Sequence, residues 1–158
     1  MQLVQLPVNI NFKQCKDMEK DHYIGVDISK RTIDIAIYVK SQAKKGTFPH
    51  ETFSNTEEGF KDMKKWLRKQ HVVLSKSLFC MEATGNYTYE LCLFLEQLGV
   101  AYSIQSPLHL KRSFGLTHGK NDKVDASRIA YYAYLHREDI KLSKLASDSV
   151  RKLKALIA

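Results

Sequence analysis

The feature that most constrains this sequence is a carboxylate, Asp27, inside a stretch of alternating apolar residues. Apolar Ile24, Val26 and Ile28 alternate with Gly25, Asp27 and Ser29, which is the period-two pattern of a strand with one apolar face. The alternation resumes over residues 33–39, so the two runs are predicted to form an antiparallel hairpin at the heart of a sheet. A charge there is costly unless it is paired or bound to metal. Backbone N–H groups at a strand end could satisfy a single aspartate, so the decisive question is whether other acids converge on it.

Strands and helices then alternate along the chain, which predicts an α/β fold with a sheet of mixed direction. Pro49 favours an edge position for the third strand. Asn55 is predicted to cap the helix that follows, with Glu58 three residues later. The predicted elements are a strand over 47–53, a helix from 55, a central strand over 77–82, a helix over 87–98 and a strand over 100–104.

Three more acids can reach the edge of the sheet at which Asp27 lies. Glu82 ends the predicted central strand, and a helix predicted to begin near Asn121 carries Asp122 and Asp125 on its sheet-facing side. Four bare carboxylates would repel one another, whereas one or two Mg²⁺ or Mn²⁺ ions would remove that repulsion. Helix capping is the alternative explanation, and it accounts for one acid better than for two.

Charge is distributed unevenly along the 158 residues. The chain has a formal charge of +8, and from residue 107 onward 11 Lys and Arg face 5 Asp and Glu, a net of +6. Such a segment could bind a polyanion, although a basic face is often only solvated. The residues predicted to contact nucleic acid are Lys111, Arg112, Lys120, Lys123 and Arg128.

Three ordered motifs, at residues 24–30, 81–87 and 120–126, resemble the DEDD domain of the insertion-sequence 110 family of transposases and Piv-type DNA invertases. The resemblance implies a ribonuclease-H-like (RuvC-like) α/β fold with a mixed five-stranded sheet flanked by helices. It also implies that Asp27, Glu82, Asp122 and Asp125 bind Mg²⁺ or Mn²⁺ for DNA strand cleavage and transfer. Asn121 stands where such proteins commonly have Thr.

The same resemblance predicts the organisation of the chain and its partners. Residues 1–21 would form an extension, 22–140 the catalytic domain, and 141–158 the start of a helix leading to a C-terminal domain that is absent here. That domain would supply a serine nucleophile, so the fragment is expected to be incomplete as an enzyme. DNA, a bridge-type guide RNA and a second copy of the full-length protein are the implied partners.

Two alternatives remain open at this point. A DEDD-type nuclease would use the same acids for hydrolysis, but its first motif normally has a Glu where this chain has Ser29. A non-catalytic domain would use the basic residues for nucleic-acid binding and the acids as helix caps. The three cysteines show no metal-ligand spacing, and no leader or membrane-length apolar run is found, so a cytoplasmic protein is expected.

Overall fold

The fold is described here from a computed structural model, for residues 20–40, 48–114, 125–147 and 156. Five strands form one sheet in the order β3-β2-β1-β4-β5. Strands β2 and β3 pair antiparallel, as do β1 and β2, while β4 runs parallel to both β1 and β5. The strands are β1 (His22–Ile28), β2 (Thr32–Val39), β3 (His50–Ser54), β4 (Ser77–Glu82) and β5 (Ala101–Gln105). The predicted mixed five-stranded sheet is therefore confirmed, with β1 at its centre.

Four α-helices accompany the sheet within the described residues. They are α1 (Glu57–Lys69), α2 (Tyr89–Gln97), α3 (Pro107–Ser113) and α4 (Ala126–Leu135), with short 3₁₀ turns at Leu74–Lys76 and Gly85–Thr88. Helices α1 and α2 cover one face of the sheet, where Ile24, Val26 and Phe60 belong to a common buried core. Helix α4 covers the other face, where Tyr23, Cys80 and Ile129 are buried together.

Gly25 allows α4 to lie directly on the central strand. A β-carbon built at residue 25 would overlap the carbonyl oxygen of Ala126 and the backbone nitrogen of Ala130. A side chain of any size would therefore push the helix away from the sheet. Because residue 25 has no side chain, the first turn of α4 lies directly on β1 at Gly25, two residues before Asp27.

Helix α1 corrects one prediction about its start. Thr56, in extended conformation, is the N-cap, and its hydroxyl accepts from the N–H of Gly59 at 3.2 Å. Asn55 was predicted to fill this role, but its side chain instead bonds to two neighbouring loops. Thr and Asn are both good N-caps, and tertiary contacts decide between adjacent candidates.

The segment after α4 runs along β5. The backbone N–H of Ser143 donates to the Tyr102 carbonyl at 2.8 Å, and the Ser143 hydroxyl accepts from the N–H of Ile104 at 2.9 Å. Residues 141–147 carry no helix, so this part of the helix predicted over 141–158 is wrong. These two hydrogen bonds hold the segment against β5, in place of the hydrogen bonds that a helix would form within itself. The division of the chain into three parts remains a prediction.

Candidate metal and nucleic-acid site

Asp27 and Glu82 lie on neighbouring parallel strands at the same end of the sheet. The register between β1 and β4 pairs Val26 with Met81, and the two acids follow one step later. Strand alternation places both on the face that α4 covers, together with Gly25 and Cys80. Asp27 is 9% exposed, whereas Glu82 is half-buried. Two of the four predicted acids are thus neighbours.

A third acid on this face, Asp34, was missed by the sequence analysis. Asp34 is the direct cross-strand partner of Asp27, and its Oδ1 accepts a hydrogen bond of 2.6 Å from the hydroxyl of Thr52 on β3. The alternation of β2 held the signal, because Asp34 lies between Ile33 and Ile35, whose side chains belong to the opposite face. Asp34 therefore adds negative charge beside Asp27.

Asp125 is the N-cap of α4. Its backbone is extended, with φ −75° and ψ 169°, and its Oδ1 accepts from the N–H of Arg128 at 2.9 Å. The helix was predicted to begin near Asn121, with Asp125 inside it and directed at the sheet. It begins instead at Ala126, and the Asp125 side chain is exposed and bonded to its own helix. Aspartate favours this position because its carboxylate satisfies an N–H that the first turn leaves unpaired.

Asp122, the fourth predicted ligand, lies outside the described residues. Within residues 20–40, 48–114 and 125–147, no three His, Cys, Asp or Glu side chains form a group that could hold a metal ion. Among the described residues, the structure therefore places Asp27 and Glu82 on neighbouring strands, but it does not gather Asp27, Glu82 and Asp125 into one group. The ligand roles of all four acids remain predictions.

Three of the five basic residues predicted to contact nucleic acid lie among the residues that the structure describes. Lys111 and Arg112 are exposed in the last turn of α3, and Arg128 is exposed in the first turn of α4. Lys120 and Lys123 lie outside the described residues. Helix α3 itself begins at Pro107 behind an N-cap, Ser106, whose hydroxyl accepts from the N–H of His109 at 3.2 Å.

The loop after Glu82 requires glycine at one position. Gly85 has φ +64°, a left-handed conformation that strains other residues, and it starts the 3₁₀ turn that leads into α2. Beside it, the buried hydroxyl oxygen of Thr84 has no hydrogen-bond partner within the described ranges of the chain. This loop follows β4 and the β1–β2 turn follows β1, so both begin at the end of the sheet at which Asp27 and Glu82 lie.

None of the helices in the described ranges is long and apolar enough to span a membrane.

In structure, the chain resembles T. thermophilus RuvC in complex with a Holliday junction substrate, with a TM-score of 0.52 and 9% identity. That match covers 76% of this chain and 98% of the RuvC chain. It supports the ribonuclease-H-like fold predicted from the sequence motifs.

Two curated relatives are similar in sequence. They are the pilin gene-inverting proteins of Moraxella bovis and Moraxella lacunata, each 32% identical over 138 residues. Each match covers 85% of this chain but 40% of the relative, so the chain spans less than half the length of these proteins. The family model of the insertion-sequence 110 DEDD transposases matches residues 24–158, and the family is described as a transposase. The chain therefore belongs to the insertion-sequence 110 family of DEDD transposases.

Proposed function

We propose that this chain is the metal-dependent catalytic domain of a DNA recombinase. The observation that carries the proposal is the position of Asp27 and Glu82, one register step beyond the Val26–Met81 pair at one edge of a RuvC-like sheet. Family membership favours DNA cleavage and strand transfer as the reaction. Asp122 and Asp125 complete the proposed set of ligands.

The donor set fits a hard divalent cation. Carboxylate oxygens are the ligands that Mg²⁺ and Mn²⁺ prefer, and an ion would relieve repulsion between the acids. Asp125 uses Oδ1 for its helix cap, which leaves the second carboxylate oxygen for a metal. When bound, one or two such ions would stabilise charge on the attacking and leaving oxygens of a phosphodiester.

The residues of this chain then have separate roles. Asp27 and Glu82 would hold the cation from strands β1 and β4, and Asp125 would do so from the start of α4. Exposed Lys111, Arg112 and Arg128 contact phosphates. The nucleophile is proposed to be a serine in the part of the relatives' length that this chain does not match.

The proposed macromolecular partner is DNA, and a guide RNA of the bridge type is a second one. Phosphates dominate either interaction, so the basic residues alone do not distinguish the two polymers. The full-length protein is proposed to act as a homo-oligomer. Competition between labelled DNA and unlabelled RNA of equal length would reveal a preference.

The proposal is tested by replacing the native ion with Fe²⁺ in the presence of ascorbate and peroxide. Hydroxyl radicals produced at a bound iron cut nearby polypeptide and DNA, so the assay needs no serine nucleophile. We expect protein cuts near residues 27 and 82, and these cuts should be suppressed by excess Mg²⁺. Asp27→Asn should abolish them.

Asp21→Asn is the matched control, because Asp21 precedes the same strand at its other end and pairs with Lys76 at 3.9 Å. It should leave the cuts unchanged. Cuts that are absent, or that persist in Asp27→Asn, would overturn the metal site.

A non-catalytic nucleic-acid-binding domain is the second candidate. The capping role of Asp125 favours it, since this acid already has a structural function. On this alternative, DNA binding would persist while metal-directed cutting and Mn²⁺ binding would both be absent. A nuclease that uses water is the third possibility, and it would cut DNA in Mn²⁺ without any added domain.

A further inference from the structure

Asn55 links the two loops that follow the proposed metal ligands on the strands. Its side-chain Nδ2 donates to the carbonyl of Ser29 at 3.0 Å and to the carbonyl of Tyr87 at 3.1 Å. Its backbone N–H donates to the carbonyl of Arg31 at 2.8 Å. A side-chain amide has two N–H donors, and both are used here on segments far apart in the sequence.

The first of these segments is a tight turn immediately after β1. The backbone N–H of Ser29 donates to the Thr32 carbonyl at 2.8 Å, and the Ser29 hydroxyl accepts from the N–H of Thr32 at 3.1 Å. Ser29 lies two residues after Asp27. A restraint on the Ser29 carbonyl therefore acts on the end of the strand that carries this acid.

The second segment follows Glu82. Tyr87 lies in the 3₁₀ turn Gly85–Thr88, which is connected to the end of β4 by two residues. The register between β1 and β4 pairs residues as far as Val26 and Met81. Beyond that pair, Asn55 supplies a link between the two chain segments.

The second polar atom of the Asn55 side chain is buried although the residue is only half-buried. This atom, Oδ1, has no hydrogen-bond partner among the residues that the structure describes. Burying an unpaired amide oxygen is unfavourable, so the conformation is retained because the two Nδ2 bonds outweigh that cost. Asn55 is not needed as the cap of α1, since Thr56 provides the N-cap of that helix.

We propose that Asn55 is a positioning residue that fixes the spacing between Asp27 and Glu82 for metal binding. This inference rests on the proposed function, because it assumes that the two acids share a cation. Hydrogen-bonding residues that orient metal ligands typically change metal affinity by about 10- to 100-fold when they are removed. Asn55 acts through backbone segments, so a loss of about tenfold is expected.

The test measures Mn²⁺ affinity of the whole chain by isothermal titration calorimetry, well below the unfolding temperature. Asn55→Ala should weaken binding about tenfold. Thr56→Ala is the matched control, because it removes the N-cap of α1 at the neighbouring residue and leaves both loops linked. Its Mn²⁺ affinity should equal that of the unaltered chain.

Asn55→Asp is a second variant of nearly identical size. It loses the N–H donors but adds a negative charge, which by itself would strengthen the attraction for a cation. A weaker Mn²⁺ affinity in this variant would therefore identify the lost donors as the cause. This variant also tests the proposal if Asn55→Ala fails to fold.

Three outcomes would overturn the inference. Unchanged affinity in the Asn55 variants, with loss of binding in Asp27→Asn, would remove the role of Asn55 and leave the proposed function intact. An equal loss in Thr56→Ala would show that any loosening of this region weakens the site. No Mn²⁺ binding by the unaltered chain would contradict both the proposed function and the inference.

Discussion

Asp27 and Asp34 face each other across the antiparallel pair of β1 and β2, and both lie on the sheet face covered by α4. Asp34 is held by the Thr52 hydroxyl at 2.6 Å, so part of its charge is compensated from β3. Asp27 borders Glu82 on its other side. The central strand therefore places one acid between two others, and this arrangement determines how the site should respond to mutation and to metal.

Asp27→Asn should leave the folded state intact without metal. Removing one negative charge reduces repulsion from Asp34 and Glu82, which offsets the lost interactions of the carboxylate. The melting temperature in metal-free buffer should change by no more than about 2 °C, which corresponds to about 0.7 kcal/mol for a chain of this length. The rise in melting temperature on adding Mn²⁺ should disappear, because binding to the native state is its only source.

Thermal melts with and without Mn²⁺ test this prediction, with Asp21→Asn as the control that retains the rise. A melting temperature that falls steeply in metal-free Asp27→Asn would instead assign Asp27 a structural role.

Replacing Lys111 and Arg112 together by Gln should weaken DNA binding and reduce its salt dependence. Each phosphate contact contributes about 0.9 to the slope of log K against log salt concentration, so the slope should fall by about 2. Fluorescence anisotropy at several salt concentrations measures both quantities. Lys65 and Arg68 form the matched control pair, because they are exposed on α1, across the sheet from α4. An equal effect of the two double variants would indicate a diffuse attraction rather than a site on α3.

Gly25→Ala should destabilise the fold by about 3 kcal/mol, the upper part of the range for overpacking. The added methyl group meets backbone atoms of Ala126 and Ala130, which cannot move away as a flexible side chain could. Urea unfolding measures the loss, and hydrogen exchange should be fastest in α4. Gly85→Ala is the comparison, since no atom of the described residues beyond its two chain neighbours lies within 4 Å of the added carbon, and its φ of +64° is what opposes the substitution. We expect Gly85→Ala to lower the free energy of unfolding by about 1 kcal/mol, the cost of the left-handed conformation for a residue with a β-carbon.

The buried thiols of Cys80 and Cys92 should cause the free energy of unfolding to fall at high pH. Burial raises the pKa of Cys80 from 9.0 to about 12, and burial with the nearby Glu96 raises the pKa of Cys92 to about 12. The unfolded chain loses these protons at lower pH than the folded chain does. The stabilisation is therefore complete below pH 9 and declines as the pH rises towards 12.

Urea unfolding between pH 9 and pH 10.5 measures this decline. Each thiol should contribute up to ~1.4 kcal/mol per pH unit. Cys92→Ala should be less stable than the unaltered chain at pH 8 because it leaves a cavity, but its stability should fall less steeply with pH. Parallel curves for the two proteins would contradict the prediction.

Much of the sheet could be predicted because apolar alternation reports directly on which face a strand buries. The hairpin of β1 and β2, the central β4 and the edge position of β3 all follow from such patterns. Helix starts were less predictable, because Asn55 and Thr56 are both suitable caps and only contacts with distant loops distinguish them. Asp125 shows the same difficulty, since an aspartate can serve as a cap or lie one turn inside a helix.

The candidate site was only partly accessible to sequence reasoning for a related reason. The proximity of Asp27 and Glu82 follows from parallel strands that end together. The role of Asn55 depends on hydrogen bonds to residues 26 and 32 positions away, and no local pattern encodes them. Asp34 was detectable from alternation, but a cross-strand partner is identified only when the register is known.

The segment over 141–147 has a consequence for association between copies of the protein. An exposed outermost strand offers unpaired backbone groups on which a strand from another molecule can add. On β5, Ser143 binds the outward-facing carbonyl of Tyr102 with its N–H and the N–H of Ile104 with its hydroxyl. One serine thus occupies two consecutive pairing positions, and intermolecular sheet extension from β5 is blocked by the chain itself.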